Sequence, residues 1–216
     1  MSFARWAAIF GPTYATGLAW TAVTALAAAC GAIVWGCGLL LIRLSAGRWG
    51  ARGVDAYVQL FRNTPVLLPI YLIYFAFPMI GLPWPAVVCG ALALILQNGA
   101  YVSEILRGSV NAIDRVQLDA ARSIGLAPWN TFRKIVLPQV LVYSIPALGN
   151  QTVLLLKDTS LLSAISITEL TMQAKLLTEQ TGAAYEAFIV VALLYLLLVS
   201  GTEVVFRTAH RAVRWR

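Results

Sequence analysis

Residues 114–138 read DRVQLDAARSIGLAPWNTFRKIVLP, the longest polar and basic interruption in a chain that is otherwise mostly apolar. The stretch divides into two short helices with a tight joint. Asp114 is a good N-cap, and Gln117 stands three residues on, where its side chain can reach back to the cap's backbone N–H. The first helix carries Leu118, Ala120, Ala121 and Ile124, and Gly125 supplies the left-handed residue that stops it. Pro128 suits the first turn of a second helix, where its missing N–H costs nothing. That helix carries Trp129, Phe132, Ile135 and Val136 at helical spacing, with Arg133 and Lys134 late in it, as the helix dipole prefers. Pro138 marks the junction with the next apolar run. A folded, exposed element between apolar runs is either a surface to be gripped by a partner or a linker kept on one side by its cations.

The composition on both sides of this stretch is that of a membrane protein. Of 216 residues, 60% are hydrophobic and 12% charged, against about 25% charged in soluble domains. The length predicts one domain, residues 1–216, built as an all-α bundle of a few spans. Thr13 to Ile42 holds 30 residues without a charge, about 45 Å if helical and enough to cross a ~30 Å hydrocarbon core. The run continues well past the small residues before Cys30, so it reads as a retained span rather than a cleaved signal. Further spans are expected at about 64–78, 86–106, 139–157 and 187–206, giving five. Between the first two, Val54, Tyr57, Val58 and Phe61 predict an amphipathic surface helix.

Charge orients the bundle. Arg43, Arg48, Arg52 and Arg62 lie in one region, Arg107, Arg115, Arg122, Arg133 and Lys134 in a second, and Arg207, Arg211, Arg214 and Arg216 in a third. Thirteen of the sixteen Lys and Arg thus fall where five spans bring them to one side. The positive-inside rule makes that side cytoplasmic and leaves the N-terminus outside. The net charge of +7 is therefore topological, and no soluble basic face suited to nucleic acid is seen. Cys30, Cys37 and Cys89 sit in apolar runs without metal-type spacing. No Ser-His-Asp arrangement, HExxH helix or GxxxxGK[ST] phosphate loop occurs, so the chain is not expected to be an enzyme or to hydrolyse ATP itself.

Polar groups inside the spans are the site candidates, since each is costly in lipid. Gln97, Tyr101 and Glu104 follow i, i+4, i+7 and share a face. Asn98 lies beside them, and Asp158 and Thr159 stand near the end of the fourth span. A zwitterionic or cationic amino acid needs a carboxylate for its ammonium and donors for its own carboxylate. These side chains have that chemistry. Each also has a structural alternative: Glu104 paired with Arg107 at i, i+3, Asp158 paired with Lys157, and Gln97 and Asn98 as interhelical hydrogen-bonding groups.

The pattern Asp119-Ala120-Ala121, three residues, Gly125, nine residues, Ile135-Val136-Leu137-Pro138 resembles the EAA loop of ABC importer permeases. Asp119 stands where the family has Glu, keeping the charge with one methylene less reach, and Val116 stands where Gly is common. Leu60-Phe61-Arg62-Asn63-Thr64-Pro65 is similar to the FRGTP segment of polar amino acid permeases, with Asn63 for Gly. Ala100 to Gly108 (AYVSEILRG) and Lys157 to Leu161 (KDTSL) resemble the histidine, glutamine and arginine type. The resemblance covers roughly residues 60–175. It implies a type I importer permease fold with residues 114–138 as a cytoplasmic coupling helix. It also implies ATP and Mg held by a separate ATP-binding subunit dimer, so that this chain needs no cofactor. A second permease subunit, identical or a sister, is implied, as is a periplasmic or lipid-anchored binding protein that delivers an amino acid. The location implied is the bacterial inner membrane. The other reading is a membrane scaffold or anchoring subunit with no substrate path, and the polar groups inside spans three and four weigh against it.

Overall fold

The computed structural model describes residues 3–214. Arg216, the last cation of the basic tail, lies outside the described residues. The long uncharged run forms α1 (Phe3–Ser45), which passes straight through Pro12. The helix thus begins before the uncharged run at Thr13 and includes Pro12, whose missing N–H removes one bond from a helix that is otherwise intact. Then follow α2 (Gly47–Arg62), α3 (Leu67–Met79), α4 (Ala86–Asn111) and α5 (Arg115–Ser123). The chain continues through α6 (Pro128–Thr131), a π-turn (Phe132–Val136), α7 (Leu137–Asp158), a 3₁₀ segment (Thr159–Ile165), α8 (Leu170–Thr181) and α9 (Ala184–Arg214).

Four stretches of the described residues are long and apolar enough to cross a membrane: Phe10–Ser45, Ala86–Asn111, Pro128–Ile165 and Ala184–Val213. A fifth arises if α2 and α3, bent by 104°, together make one crossing. The expected amphipathic helix and the short second span are thus two arms of one elbow.

Helices α1 and α4 form the centre of the bundle and run in the same direction. Gly31 lies on Ile95, Trp35 on Gly99 and Gly36 on Val102. The approach is close enough that a Cβ at Gly36 would stand 2.6 Å from Val102 Cγ1 and 2.9 Å from the Gly99 carbonyl oxygen. In lipid, apolar contact between helices gains no hydrophobic energy, so intimate packing of small residues does that work. Ala25, Ala28, Ala32, Ala93 and Leu94 fill this seam together with Ile70, Leu155 and Leu162. Large apolar side chains such as Leu26, Val34, Leu72, Leu197 and Val205 are exposed, as lipid-facing positions allow.

Helix α2 crosses α1 and α4, burying Val54 and Val58 against Leu39 and Ala100. Tyr57 fixes the crossing: its hydroxyl donates to the Leu96 carbonyl at 2.7 Å and accepts from Trp35 Nε1–H at 2.8 Å. Helix α7 runs beside α4, and α9 packs on α7 where Gly149 meets Phe206. Helix α8 and the 3₁₀ segment close the end of the bundle away from residues 114–138. There Tyr14, Leu170, Leu177, Ala187 and Val191 make a second apolar cluster.

Candidate coupling surface and substrate path

Residues 114–138 build an angular, exposed element. Asp114 caps α5, its Oδ1 accepting from the Val116 N–H at 2.9 Å. Gln117 does not reach back to complete a capping box. Its Oε1 accepts instead from Gln139 Nε2 at 2.7 Å, and the same nitrogen donates to the Ile135 carbonyl at 2.9 Å. A long-range amide pair thus ties α5 to the base of α7, which a local pattern could not reveal.

Gly125 has φ +70°, and the joint is a complete Schellman turn. The Leu126 N–H donates to Ala121 O at 3.0 Å and the Gly125 N–H to Arg122 O at 2.9 Å. Pro128 opens α6 as expected, and Pro138 stands in the first turn of α7, where the next apolar run begins. Lacking an N–H, it cannot serve the Lys134 carbonyl. The helix slips by one residue there, the Leu137 N–H donating to Phe132 O, and α6 runs on into α7 through a π-turn. Ala121 faces inward at 2% exposure, whereas Val116, Ile124 and Trp129 are 70%, 79% and 67% exposed. Trp129 stacks on Phe132 with ring centroids 5.7 Å apart. Asp119 and Arg122 form a loose, exposed pair at 3.3 Å, of the kind worth little to stability.

The polar face of α4 receives the α2–α3 elbow. Pro65 has no N–H, so the Phe61 carbonyl loses its helical donor. The Leu68 N–H turns back to Pro65 O at 3.0 Å, which leaves the Thr64 carbonyl free as well. Gln97 Nε2 serves both, at 3.2 Å to Phe61 O and 2.8 Å to Thr64 O. The Tyr101 hydroxyl serves the Arg62 carbonyl at 3.2 Å. Neighbouring Asn98 points elsewhere: its Oδ1 accepts from Gln151 Nε2 of α7 at 2.8 Å, and its own amide donates to Leu94 O. Gln97 and Asn98, adjacent in sequence, therefore bind α4 to two different neighbours.

Glu104 is the centre of an ion network. Arg107 grips it with Nε at 2.9 Å from Oε1 and Nη2 at 2.6 Å from Oε2. Arg43 of α1 adds a bond of 2.7 Å to Oε1 and also pairs with Asp55 of α2. Arg62 stands at 3.8 Å. The expected i, i+3 pair is present, but Arg43 and Asp55, which tie α1 and α2 to it, were not foreseeable from local spacing. Removing one partner from such a partly buried network leaves charge uncompensated, which is costly.

Asp158 and Thr159 lie at the opposite end of α7 from the coupling element. Thr159 is fully buried, its hydroxyl donating to Leu156 O at 2.7 Å. Asp158 is partly buried and makes no ion pair among the described residues; Lys157 is exposed and does not pair with it. Close by is a buried carboxylate that sequence reading passed over. Glu169 caps α8 through the Thr171 and Met172 N–H groups, both at 2.8 Å, and accepts from the Tyr195 hydroxyl of α9 at 2.8 Å. Burial pushes the Glu169 carboxyl above its ordinary range, while those donors pull it back. An acidic residue just before an apolar run is an N-cap signal, and that signal was legible. The five candidates Gln97, Asn98, Glu104, Asp158 and Thr159 do not converge on one cavity. They mark the elbow, the α4–α7 seam, the ion network and the far end of α7.

Comparison with known proteins bears on this architecture. Residues 30–215 match the family described as binding-protein-dependent transport system inner membrane component. A probable amino-acid ABC transporter permease, y4tG, of Sinorhizobium fredii is 36% identical over 167 residues, covering 77% of this chain and 72% of the relative. The nopaline transport system permease NocM of Agrobacterium fabrum is 37% identical over 188 residues, covering 81% and 76%. The glutamine transport system permease GlnP of Escherichia coli K12 is 32% identical over 171 residues, covering 78% of each. Among solved structures, an amino acid ABC transporter crystallised with histidines superposes with a TM-score of 0.90 at 28% identity over 98% of this chain and 99% of that one. An inward-facing MetNI methionine transporter shares the fold, with a TM-score of 0.79 at 18% identity over 99% of each chain. The chain belongs to the inner-membrane permease family of binding-protein-dependent ABC importers.

Proposed function

We propose that this permease moves a polar or charged amino acid across the bacterial inner membrane. A separate ATP-binding subunit dimer, holding ATP and Mg, drives it through residues 114–138. The observation that carries the reading is the shape of that element. A capped helix, a Schellman joint and a second helix present Val116, Ile124 and Trp129 to the outside, and Val116 and Ile124 stand on a polar segment between two membrane-spanning stretches, with no lipid to cover them. Apolar groups so displayed mark a partner surface. The amino-acid class is supported by the relatives, whose names specify amino-acid, nopaline and glutamine transport.

In this reading Asp119, Ala120, Ala121, Gly125, Ile135, Leu137 and Pro138 form the coupling element. The N-terminus lies outside and the C-terminus in the cytoplasm, so that Asp158 and Thr159 stand at the outer end of the path and Glu104 at the inner end. Asp158, partly buried and without an ion pair among the described residues, suits a substrate cation. Gln97 and Asn98 serve the path by holding the helices that line it. A second permease subunit and a substrate-binding protein complete the assembly. A scaffold without a path is disfavoured by the family to which the chain belongs.

The test is uptake by proteoliposomes holding the permease, its ATP-binding subunit and its binding protein, with the twenty labelled L-amino acids as probes. The expected result is ATP-dependent accumulation of at least one. Uptake of none, by an assembly that forms normally, overturns the proposal.

A further inference from the structure

At the α2–α3 elbow a polar cavity of about 200 Å³ is lined by Gln59, Arg62, Asn63 and Tyr101. Arg62 stands in the last turn of α2, where a cation ordinarily serves the orphan carbonyls of the helix end. Here every one of those carbonyls already has a donor. Gln59 O accepts from the Asn63 N–H at 3.2 Å, and Leu60 O from the Thr64 hydroxyl at 2.7 Å. Phe61 O accepts from Gln97 and Arg62 O from Tyr101. The Arg62 guanidinium is not needed as a cap.

As a counter-ion it is only the outermost member of the Glu104 network. Glu104 takes two bonds from Arg107 and one from Arg43, and Arg43 also pairs with Asp55. Three arginines therefore face two carboxylates. The surplus cation is Arg62, whose nearest approach to Glu104 is 3.8 Å, beyond hydrogen-bond reach. Its side chain remains 45% exposed, and the guanidinium lies over the Tyr101 ring, 5.4 Å from the centroid. The ring covers one face of the group, and beyond the long contact to Glu104 no hydrogen bond to its N–H edge is seen among the described residues, so that edge can receive a carboxylate by two parallel hydrogen bonds. The Gln59 and Asn63 amides stand at the rim, joined by a 3.3 Å hydrogen bond.

The geometry points to a carboxylate subsite at this elbow, with Arg62 as its cation and Tyr101 as its platform, receiving the α-carboxylate of the transported amino acid. The assignment rests on the amino-acid importer reading above. The acidic group of the substrate goes to the elbow, at the Glu104 end of the path. Occupation of the elbow would also be felt by α4, since Gln97 and Tyr101 hold the same four residues of backbone that carry Arg62 and Asn63.

The test uses the wild-type permease bound to its ATP-binding subunits in nanodiscs of phosphatidylcholine alone. Phenylglyoxal labelling of Arg62 is followed by peptide mass spectrometry, with Arg48 and Arg211 as controls. The probes are the twenty L-amino acids, the amide of each one that protects, and sodium phosphate. The subsite predicts that at least one amino acid slows Arg62 labelling about five- to tenfold, a modest charge-assisted contact, while its amide and the two control arginines show no effect. Arg62→Gln should then lose uptake of that amino acid about tenfold or more, with Arg62→Lys intermediate because a point charge replaces the fork.

Labelling indifferent to every amino acid overturns the subsite. So does equal protection by the amide, or protection by phosphate or by added phosphatidylglycerol without protection by any amino acid, which would mark an anion or lipid-headgroup contact. Uptake by the wild-type assembly separates the two claims. Uptake without Arg62 protection sinks the subsite alone, and absence of all uptake sinks the importer reading with it.

Discussion

Gln97 satisfies two carbonyls, Phe61 O and Thr64 O, that the proline at 65 leaves without donors. Gln97→Leu keeps the volume and removes both hydrogen bonds. An unsatisfied buried carbonyl costs about 1–3 kcal/mol, so the purified variant should melt several degrees lower than wild type, while a leucine at exposed Gln59 should change little. An unchanged melting temperature for Gln97→Leu would mean that the elbow is held by packing alone. Asp158 is the opposite kind of residue: it is partly buried at the end of α7 and makes no ion pair among the described residues. Asp158→Asn should lower uptake more than it lowers membrane abundance, measured by quantitative blotting beside transport. A proportional fall in both would make Asp158 structural.

At the scale of elements, the α1–α4 seam depends on glycines that let two backbones meet. A side chain at Gly36 collides with Val102 and with the Gly99 carbonyl, whereas nothing lies within 4 Å of a Cβ at Gly38, two residues on. Gly36→Val should therefore destabilise the bundle by about 1–3 kcal/mol, seen as lost yield of folded protein in detergent. Gly38→Val should leave that yield unchanged, and equal effects would contradict the packing described. Long apolar runs made α1, α4, α7 and α9 legible, because in lipid every backbone group must be bonded within its own helix. The joint at Gly125 was legible for a local reason: positive φ and a following Pro128 are signals carried by single residues. The elbow was half legible. An amphipathic helix and a short span were both expected, but their 104° bend is met by Gln97 and Tyr101, more than thirty positions away. The same limit hid the partners of Glu104, since Arg43 and Asp55 come from helices whose rotation no local pattern fixes. Pro138 marked the start of α7, but not the π-turn that absorbs the missing donor and joins α6 to α7.

For the whole molecule, the proposed direction of the chain through the bilayer rests on one arrangement. Basic residues gather at the end of the bundle that carries α5 and α6, and the Asp158 and Glu169 carboxylates at the other. A reporter that is active only in the periplasm, fused after residue 216, should be silent, and strong activity there would invert the topology. The central claim is that the element at 114–138 transmits ATP hydrolysis to the spans. Gly125 tests it at one position, because its φ of +70° disfavours a branched side chain by about 1 kcal/mol or more, while open space around it spares the rest of the fold. The decisive measurement is co-purification of the ATP-binding subunit with Gly125→Val, together with substrate-stimulated ATP hydrolysis and permease abundance in the membrane. The account predicts normal abundance, weakened retention of the subunit and loss of stimulated hydrolysis; normal retention with normal stimulated hydrolysis would contradict it and reduce the element to a linker.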